Sequence, residues 1–446
     1  MMRRILLILL ALITALASLS ISHASEAVTL TAAGDAIPGD LLSAYVRQHP
    51  DITIAESDVY DSAALIQDAM SHSDSVDIYF MYTLISATYE SLRDRGYFLE
   101  LSDPEILEMA SAIYPELREA ATHDGALCAL PFDIQLQPTL AVDMDCWAAL
   151  GFDADALPTT WAEALRFAVE HWPEISEAHE EIGLFSMNDA YSFLRSIENN
   201  YEAWRTRQDG QIGYDTPEFR EILALFEQLR AMDAIATGGE EDGRDYYLFD
   251  NYHVPGILPA DTATRGLRMA FQPGGDPCCT AGLFVMAVNP NSKHASEAMD
   301  ILKYIFANID PVAMLVLCPG KNDPIVNENY AAQQRTFEEA LKAFDARIAA
   351  ASDDAERRAI ELERDDYEWQ ASMGLEPEYI ASADSIQMYR EEVAGAIVPI
   401  YETGLSAEEY NAVNEKREAF LSGHLSADQY IQELERRFVF SALERQ

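Results

Sequence analysis

The side chains best suited to chemistry are 76 acidic residues, nine histidines and five cysteines, and their spacing matches no catalytic motif. The chain contains no G-x-S-x-G turn, no H-E-x-x-H helix, no phosphate-binding loop and no G-x-G-x-x-G turn. A glycosidase needs two carboxylates at a fixed separation, but with so many acids such a pair can always be imagined. His171 and His179 lack metal-ligand spacing. The pattern favours ligand binding, with no metal or cofactor.

The elements that must position any site alternate between strand and helix. Short apolar runs alternate with stretches of about ten residues whose apolar side chains recur at helical spacing. This alternation indicates a mostly parallel sheet covered by helices on both faces, and therefore an α/β fold. The predicted strands are 28–33, 52–55, 76–81, 125–131, 139–142 and 283–288, with a polar insert at 132–138 and early helices at 38–49 and 62–70.

Several helix starts can be recognised from their capping residues. A side-chain oxygen at the cap accepts a backbone N–H of the first turn, and proline is tolerated in that turn because its missing N–H would be unpaired anyway. The charged stretch 336–368 has apolar side chains on one face and predicts a solvated helix or a helical hairpin. The predicted caps are Thr160 with Glu163, Thr216 followed by Pro217, Ser292 and Ser426.

The first 24 residues have the pattern of an export signal. Arg3 and Arg4 precede an apolar run at 5–19, and small residues at 22–24 suit cleavage by a signal peptidase. The run is short for a membrane span. We therefore expect an exported protein, periplasmic or extracellular and associated with the cell surface. No cysteine precedes Cys128, so no lipid-anchor cysteine is seen.

Net charge and composition restrict the possible partners. A charge of −46 repels nucleic acid and anionic lipid, which excludes both. Hydrophobic content of 49% and aromatic content of 10% argue against disorder, and about 420 residues after the signal suffice for two domains. The odd number of cysteines leaves at least one thiol free, and disulfides between Cys278 and Cys279 or between Cys128 and Cys146 stay open.

Several segments resemble, in order, the extracellular solute-binding proteins of ATP-driven importers, in the cluster that takes up maltodextrins and other oligosaccharides. The family's first crossing between domains resembles GALCALPFDIQLQPTLAVDMDCWAALGF, and its P-x-T-W-x-E-L helix start resembles LPTTWAEAL. The return crossing resembles LFVMAVNPNSKHASEAMDILKYI, and the terminal G-x-x-S-x-E-E-A helix resembles FLSGHLSADQYIQEL. Together these segments span most of residues 28–438.

The resemblance implies a two-lobed, type II periplasmic-binding-protein-like fold, with mixed, mostly parallel sheets and a hinge between the lobes. Lobe one would comprise 25–132 plus 285–331, and lobe two 133–284 plus 332–446, including an acidic helical segment at about 332–370. A monomer would capture a small solute, a sugar being favoured, and deliver it to the permease of an ABC importer. Gram-positive members usually carry a lipid-anchored cysteine, which this chain lacks, and the charged segment looks longer than the family needs.

Candidate binding residues follow the predicted strands, because ligands of open α/β sheets bind beyond the carboxyl ends of strands. A sugar offers hydroxyls and apolar ring faces, so carboxylate and amide groups should hydrogen-bond and aromatic rings should stack. Trp147 and Trp161 should instead pack inside a lobe. The predicted hydrogen-bonding residues are Asp35, Asp133, Gln135 and Asn188, the predicted aromatic contacts are Tyr60, Tyr82, Tyr191 and Phe271, and Gly274 lies in the segment before the return crossing.

Two functions from other classes stay open. A secreted carbohydrate-active enzyme would cleave the sugar that it binds, and a ligand-binding module could feed a sensor instead of a transporter. Peptide, polyamine, metal-chelate and sugar binders share the implied architecture, so the sequence does not name the solute. Recovery of the ligand intact or cleaved after binding separates the first alternative from solute capture.

Overall fold

The computed structural model describes residues 27–57, 62–83, 87–136, 139–179, 182–185, 190–209, 213–232, 234, 246–252, 264–267, 269–399 and 407–444. The predicted signal peptide, residues 1–24, lies outside these ranges. Within them, no helix is long and apolar enough to cross a membrane.

Strands and helices alternate in the N-terminal part of the chain, as the sequence predicts. The strands are β1 (Val28–Gly34), β2 (Ile52–Glu56), β3 (Ile78–Tyr82), β4 (Thr122–His123), β5 (Ala126–Leu127), β6 (Leu130–Leu136), β7 (Thr139–Asp143), β8 (Ile182–Phe185), β9 (Tyr246–Tyr252), β10 (Thr264–Gly266), β11 (Cys279–Val288), β12 (Ile325–Val326), β13 (Tyr379–Ala381) and β14 (Ile397–Pro399). The helices are α1 (Gly39–Gln48), α2 (Ser62–Met70), α3 (Ala87–Asp94), α4 (Pro104–Ser111), α5 (Pro115–Glu119), α6 (Met144–Ala149), α7 (Trp161–Ala178), α8 (Ala190–Asp209), α9 (Pro217–Ala231), α10 (Ala295–Asn308), α11 (Pro311–Leu317), α12 (Tyr330–Ala350), α13 (Asp354–Gly374), α14 (Ala383–Met388), α15 (Ala407–Leu421) and α16 (Ala427–Glu444).

The chain divides into two compact units. The predicted lobe boundaries stay a prediction, because a compact unit need not coincide with a lobe that moves as one body. Residues 310–331, which the sequence assigns to lobe one, lie in the second unit. The first unit comprises Met1–Ile134, Gly282–Ile309 and Ile400–Leu405, and the second comprises Gln135–Ala281, Asp310–Pro399 and Ser406–Gln446.

The sheet of the first unit is built around β3, which lies between β1 and β11. All five residues of β3 are buried, which explains why its sequence reads as a continuous apolar run instead of an alternating one. β1 pairs in parallel with β2 and with β3, and Gly34 lies opposite Phe80. β11 pairs antiparallel with β3, which places Phe284 opposite Tyr82. The carboxyl ends of β1 and β3 therefore meet at one edge.

The sheet of the second unit has the order β10-β7-β9-β8, with β9 antiparallel to β7 and parallel to β8. Its flanking helices begin where the capping residues predict. Thr160 Oγ1 accepts the Glu163 N–H at 3.1 Å, and the Glu163 carboxylate accepts the Thr160 N–H at 3.1 Å, which confirms the capping box of α7. The predicted caps of α9 and α16 are confirmed as well, because Thr216 accepts the Phe219 N–H and Ser426 accepts the Gln429 N–H.

Two local predictions are wrong. Ser292 does not cap a helix, because α10 begins at Ala295 with His294 at its N-cap, and the Ser292 hydroxyl donates to the carboxylate of Asp77. The Ser292 oxygen still accepts the His294 N–H at 3.0 Å, but His294 precedes the first helical residue, and the Ser292 hydroxyl is oriented by a carboxylate 215 positions away in sequence. The polar stretch 132–138 is not an insert between strands, since β6 continues through it to Leu136.

The cysteines and the charged stretch resolve two alternatives that the sequence leaves open. All five cysteines are free thiols, so neither Cys278 and Cys279 nor Cys128 and Cys146 are bonded to each other. Burial is the main cause that raises the pKa of Cys278 and of Cys279 to about 12. The stretch 336–368 forms a helical hairpin of α12 and α13.

Candidate functional site

The site begins at Gly34, where β1 comes unusually close to β3. Gly34 has φ of +131°, a conformation that L side chains rarely adopt, and a Cβ there would overlap the carbonyl oxygen of Phe80. Glycine at this position therefore lets the last residue of β1 lie directly against the backbone of β3. Asp35, the next residue, leaves the sheet beside the end of β3.

The carboxylate of Asp35 joins the ends of the two strands. Its Oδ1 accepts the backbone N–H of Tyr82 at 2.9 Å. Desolvation by the surrounding protein raises the pKa of Asp35, and the hydrogen bond from Tyr82 acts in the opposite direction. The side chain nevertheless remains solvent-exposed. Asp35 is therefore a partly desolvated acid that a ligand can still reach, and its position is fixed by a backbone bond.

Asp35 lies at the topological switch point of the first unit. The strand order is β2-β1-β3, so the chain passes from β1 to β2 on one side and then returns to β3 on the other side. Two parallel strands whose connections leave in opposite directions open a crevice at their carboxyl ends, and ligands of open α/β sheets bind there. Asp35 and Tyr82, both predicted site residues, are brought together at this crevice.

An aromatic cluster borders the same strand end. The rings of Tyr82 and Phe284 stack at 4.5 Å with an interplanar angle of 19°, and Phe132 lies 6.2 Å from Phe284. Tyr82 is 7% exposed, whereas Phe284 is partly exposed. Phe284 thus offers the more accessible ring face, with Tyr82 packed against it. Sequence reasoning missed Phe284, because β11 is apolar almost throughout and its pattern carries no signal for one accessible residue.

The two tryptophans that were predicted to pack inside a lobe, Trp147 and Trp161, are fully buried, which confirms that role. The binding roles of the remaining predicted residues stay predictions. Tyr60 and Asn188 lie outside the described residues. In the first unit, Asp133 is partly buried and its Oδ1 accepts the Ile134 N–H at 2.8 Å. In the second unit, Gln135 is exposed, Gly274 has φ of +69° in an exposed turn, and Phe271 is 4% exposed and packs against Tyr201 and Trp204.

Tyr191 belongs to a polar cluster inside the second unit. The guanidinium of Arg417 lies 4.9 Å from the centre of the partly exposed Tyr191 ring. The same guanidinium donates to the Glu198 carboxylate at 2.6 Å and 3.1 Å, and the Tyr430 hydroxyl donates to the other Glu198 oxygen. Glu198, Arg417 and Tyr430 are all at most 4% exposed. The ion pair thus fixes the guanidinium that packs on the Tyr191 ring.

Among the described side chains, no group of three or more histidine, cysteine, aspartate or glutamate residues is placed to hold a metal ion. What the first unit presents is a carboxylate that is fixed by the backbone N–H of Tyr82, together with the Tyr82 ring stacked on Phe284. Such a pair can accept hydrogen bonds from hydroxyl groups and stack against an apolar ring.

Comparison with solved structures identifies the fold. The chain is similar to the putative binding protein MsmE of Bacillus subtilis, with 14% identity, a TM-score of 0.60, and coverage of 94% of this chain and 99% of that one. This chain therefore has the periplasmic-binding-protein-like fold. Maltose-bound MalE3 of T. maritima matches at 14% identity and a TM-score of 0.52, covering 92% and 99% of the two chains. The GacH receptor of Streptomyces glaucescens, solved unliganded and with acarbose, matches at 12% identity and a TM-score of 0.52, with coverage of 93% of this chain and 98% of that one.

These likenesses confirm the fold class predicted from the sequence. At 12–14% identity they establish the fold alone. No family model and no curated protein matches the chain.

Proposed function

We propose that this protein is an extracytoplasmic solute-binding protein, which captures a small solute and delivers it to the permease of an ABC importer. An oligosaccharide is the favoured solute. The observation that carries the proposal is the Asp35 carboxylate, which joins the ends of β1 and β3 by accepting the N–H of Tyr82, the residue whose ring stacks on the partly exposed Phe284. Likeness in fold to maltose-bound MalE3 and to the acarbose receptor GacH supports the choice of a sugar.

The proposal requires affinity without bond-making. A solute shifts a conformational equilibrium only by binding one conformation more tightly than the other. A dissociation constant of about 1 μM, roughly −8 kcal/mol, would suit capture followed by release to a permease. Export, a location at the cell surface and a monomeric state belong to the same proposal, and they rest on the signal pattern at 1–24 and on the high negative charge.

Isothermal titration calorimetry against a panel of solutes tests the function. The panel contains linear and cyclic oligosaccharides, monosaccharides, amino acids and polyamines, and chromatography of the recovered solute shows whether it was cleaved. We expect saturable binding of at least one oligosaccharide, which is recovered intact. A cleaved sugar would establish the enzyme alternative, and saturable binding of only an amino acid or a polyamine would overturn the choice of a sugar.

Two substitutions test the site separately from the function. Asp35→Asn keeps an oxygen that can accept the Tyr82 N–H but removes the charge, and Phe284→Leu keeps apolar volume but removes the ring face. Because hydrogen bonds to a charged group are worth about 1.5–3 kcal/mol, we expect Asp35→Asn to weaken binding about ten-fold or more. Glu108→Gln, at an exposed position of α4, is the matched control. Unchanged affinity in both test variants would move the site elsewhere while leaving the function in place.

A further inference from the structure

Residues 325–381 form a hairpin module within the second unit, and the two ends of the module lie side by side. β12 and β13 pair antiparallel at its base, with Ile325 opposite Ala381. The Asn327 amide donates to the Glu376 carboxylate at 2.8 Å and to the Pro377 carbonyl at 3.2 Å, which ties the two ends together. Helices α12 and α13 lie between these ends.

One face of α13 packs against α12. Ile360 is 7% exposed, Arg364 lies 3.3 Å from the Asp345 carboxylate of α12, and Tyr367 packs against Phe337 and Phe344 of α12. At about 100° per residue, positions 360, 364 and 367 fall within one narrow arc of the helix. This arc is the inner face of the hairpin.

The opposite face of α13 carries two large apolar side chains. Leu362 is 66% exposed and Trp369 is 62% exposed. Seven residues are about two helical turns, so the two side chains lie on the same face, one above the other. That face is roughly 180° around the helix from Ile360. Of the six large hydrophobic side chains that are exposed among the described residues, four lie in the hairpin module: Val326, Leu362, Trp369 and Ile380. Leu362 and Trp369 share one helix face, and exposed apolar surface that is rimmed by polar residues is typical of an interaction site.

The charge around this stripe selects the kind of partner. Asp365 and Asp366 are exposed and flank the stripe on the outer face of α13, where the exposed Arg358 lies one turn before Leu362. These two acids outnumber the one basic residue along the stripe. A second copy would bring the same acids and another net charge of −46, and an anionic membrane would be repelled as well. A helix with an apolar stripe flanked by lysine or arginine is complementary in both respects.

We propose that the outer stripe of α13, centred on Leu362 and Trp369, docks a basic amphipathic helix of a partner protein. The apolar side chains of that helix pack on Leu362 and Trp369, and its basic residues pair with the flanking aspartates. Leu362 and Trp369 belong to the second unit, and Asp35 and Phe284 belong to the first, so different substitutions test the two proposals.

Fluorescence anisotropy with labelled helical peptides tests the proposal. The probe is a 21-residue helix, about the length of α13, with a leucine stripe flanked by lysines, and two matched peptides carry glutamate flanks or an alanine stripe. We expect saturable binding of the leucine–lysine peptide alone, weakening as salt is added. Trp369 emission should shift to the blue on binding. The other four tryptophans are at most 5% exposed, so the signal arises from Trp369.

Matched variants separate docking from adhesion to an acidic protein. Leu362→Ala and Trp369→Ala should each weaken the peptide about ten-fold or more, whereas Leu107→Ala, an exposed apolar residue outside the module, should leave it unchanged. Melting temperatures identify any variant that has lost its fold. Equal binding by all variants would overturn the proposal. Self-association or binding to anionic vesicles that Trp369→Ala abolishes would also overturn it, because the occupant would then be a second copy or a membrane.

Discussion

Removing the buried guanidinium of Arg417 should destabilise the second unit strongly. Arg417 is 4% exposed and Glu198 is 1% exposed, and two charge-assisted hydrogen bonds join them. Arg417→Met keeps most of the aliphatic stem but leaves the Glu198 carboxylate buried with the Tyr430 hydroxyl as its remaining donor in this cluster. Breaking a buried ion pair by removing one partner costs about 3–5 kcal/mol, because the other charge stays uncompensated.

A second substitution should recover much of that loss. Glu198→Gln keeps an oxygen that can accept the Tyr430 hydroxyl, and the double variant Glu198→Gln with Arg417→Met removes both charges of this pair. Replacing a buried ion pair by neutral groups costs far less than stranding one charge. We therefore expect the double variant to be more stable than Arg417→Met alone, by about 2 kcal/mol or more.

Tryptophan fluorescence during urea unfolding measures this effect in the right part of the molecule. All five tryptophans, Trp147, Trp161, Trp172, Trp204 and Trp369, lie in the second unit. The unfolding transition of that unit can therefore be followed separately, which matters because a chain with two units need not unfold in one step. A loss below about 1 kcal/mol for Arg417→Met, or a double variant less stable than the single one, would refute the reasoning.

Two further predictions concern a glycine and a partly buried acid. Gly34→Ala should lower the stability of the first unit by about 2 kcal/mol or more, because the new Cβ adds backbone strain and overlaps Phe80. Gly39 has open space around it, so the control Gly39→Ala should be neutral or stabilising. Circular-dichroism melts measure both variants. Burial raises the pKa of Glu202 above its ordinary 4.5, so the folded state holds this proton more tightly than the unfolded chain. The melting temperature relative to Glu202→Gln should therefore fall as pH rises above 4.5, and a rise would contradict this sign.

Features that depend on neighbours in sequence could be predicted well. β1 was expected at 28–33 and is observed at Val28–Gly34, and α2 begins and ends at the predicted residues. The capping box of Thr160 and Glu163 involves atoms three residues apart, so the sequence contains both partners. Strand alternation with helices likewise gave the α/β class, because hydrophobic periodicity is a local signal.

Features that depend on distant residues could not be predicted. Ser292 resembles a cap in sequence, but α10 begins only at Ala295, and the Ser292 hydroxyl donates to the Asp77 carboxylate in another part of the chain. Phe284 was missed because accessibility at one position of a buried strand depends on what packs above it. Phe271 has the type of a ligand-stacking residue, yet its ring packs against Tyr201 and Trp204, which no local pattern reveals. Its binding role stays a prediction.

The candidate site is a property of strand register as much as of its side chains. Gly34 has no side chain to offer a ligand, yet its close contact with Phe80 sets where Asp35 leaves the sheet, and the Tyr82 N–H then fixes the carboxylate. Stability and affinity should therefore respond differently to the two neighbouring positions. Gly34→Ala should weaken solute binding and destabilise the first unit together, whereas Asp35→Asn should weaken binding with little change in melting temperature. If Gly34→Ala destabilised the unit but bound solute normally, Asp35 would not be positioned by this strand contact.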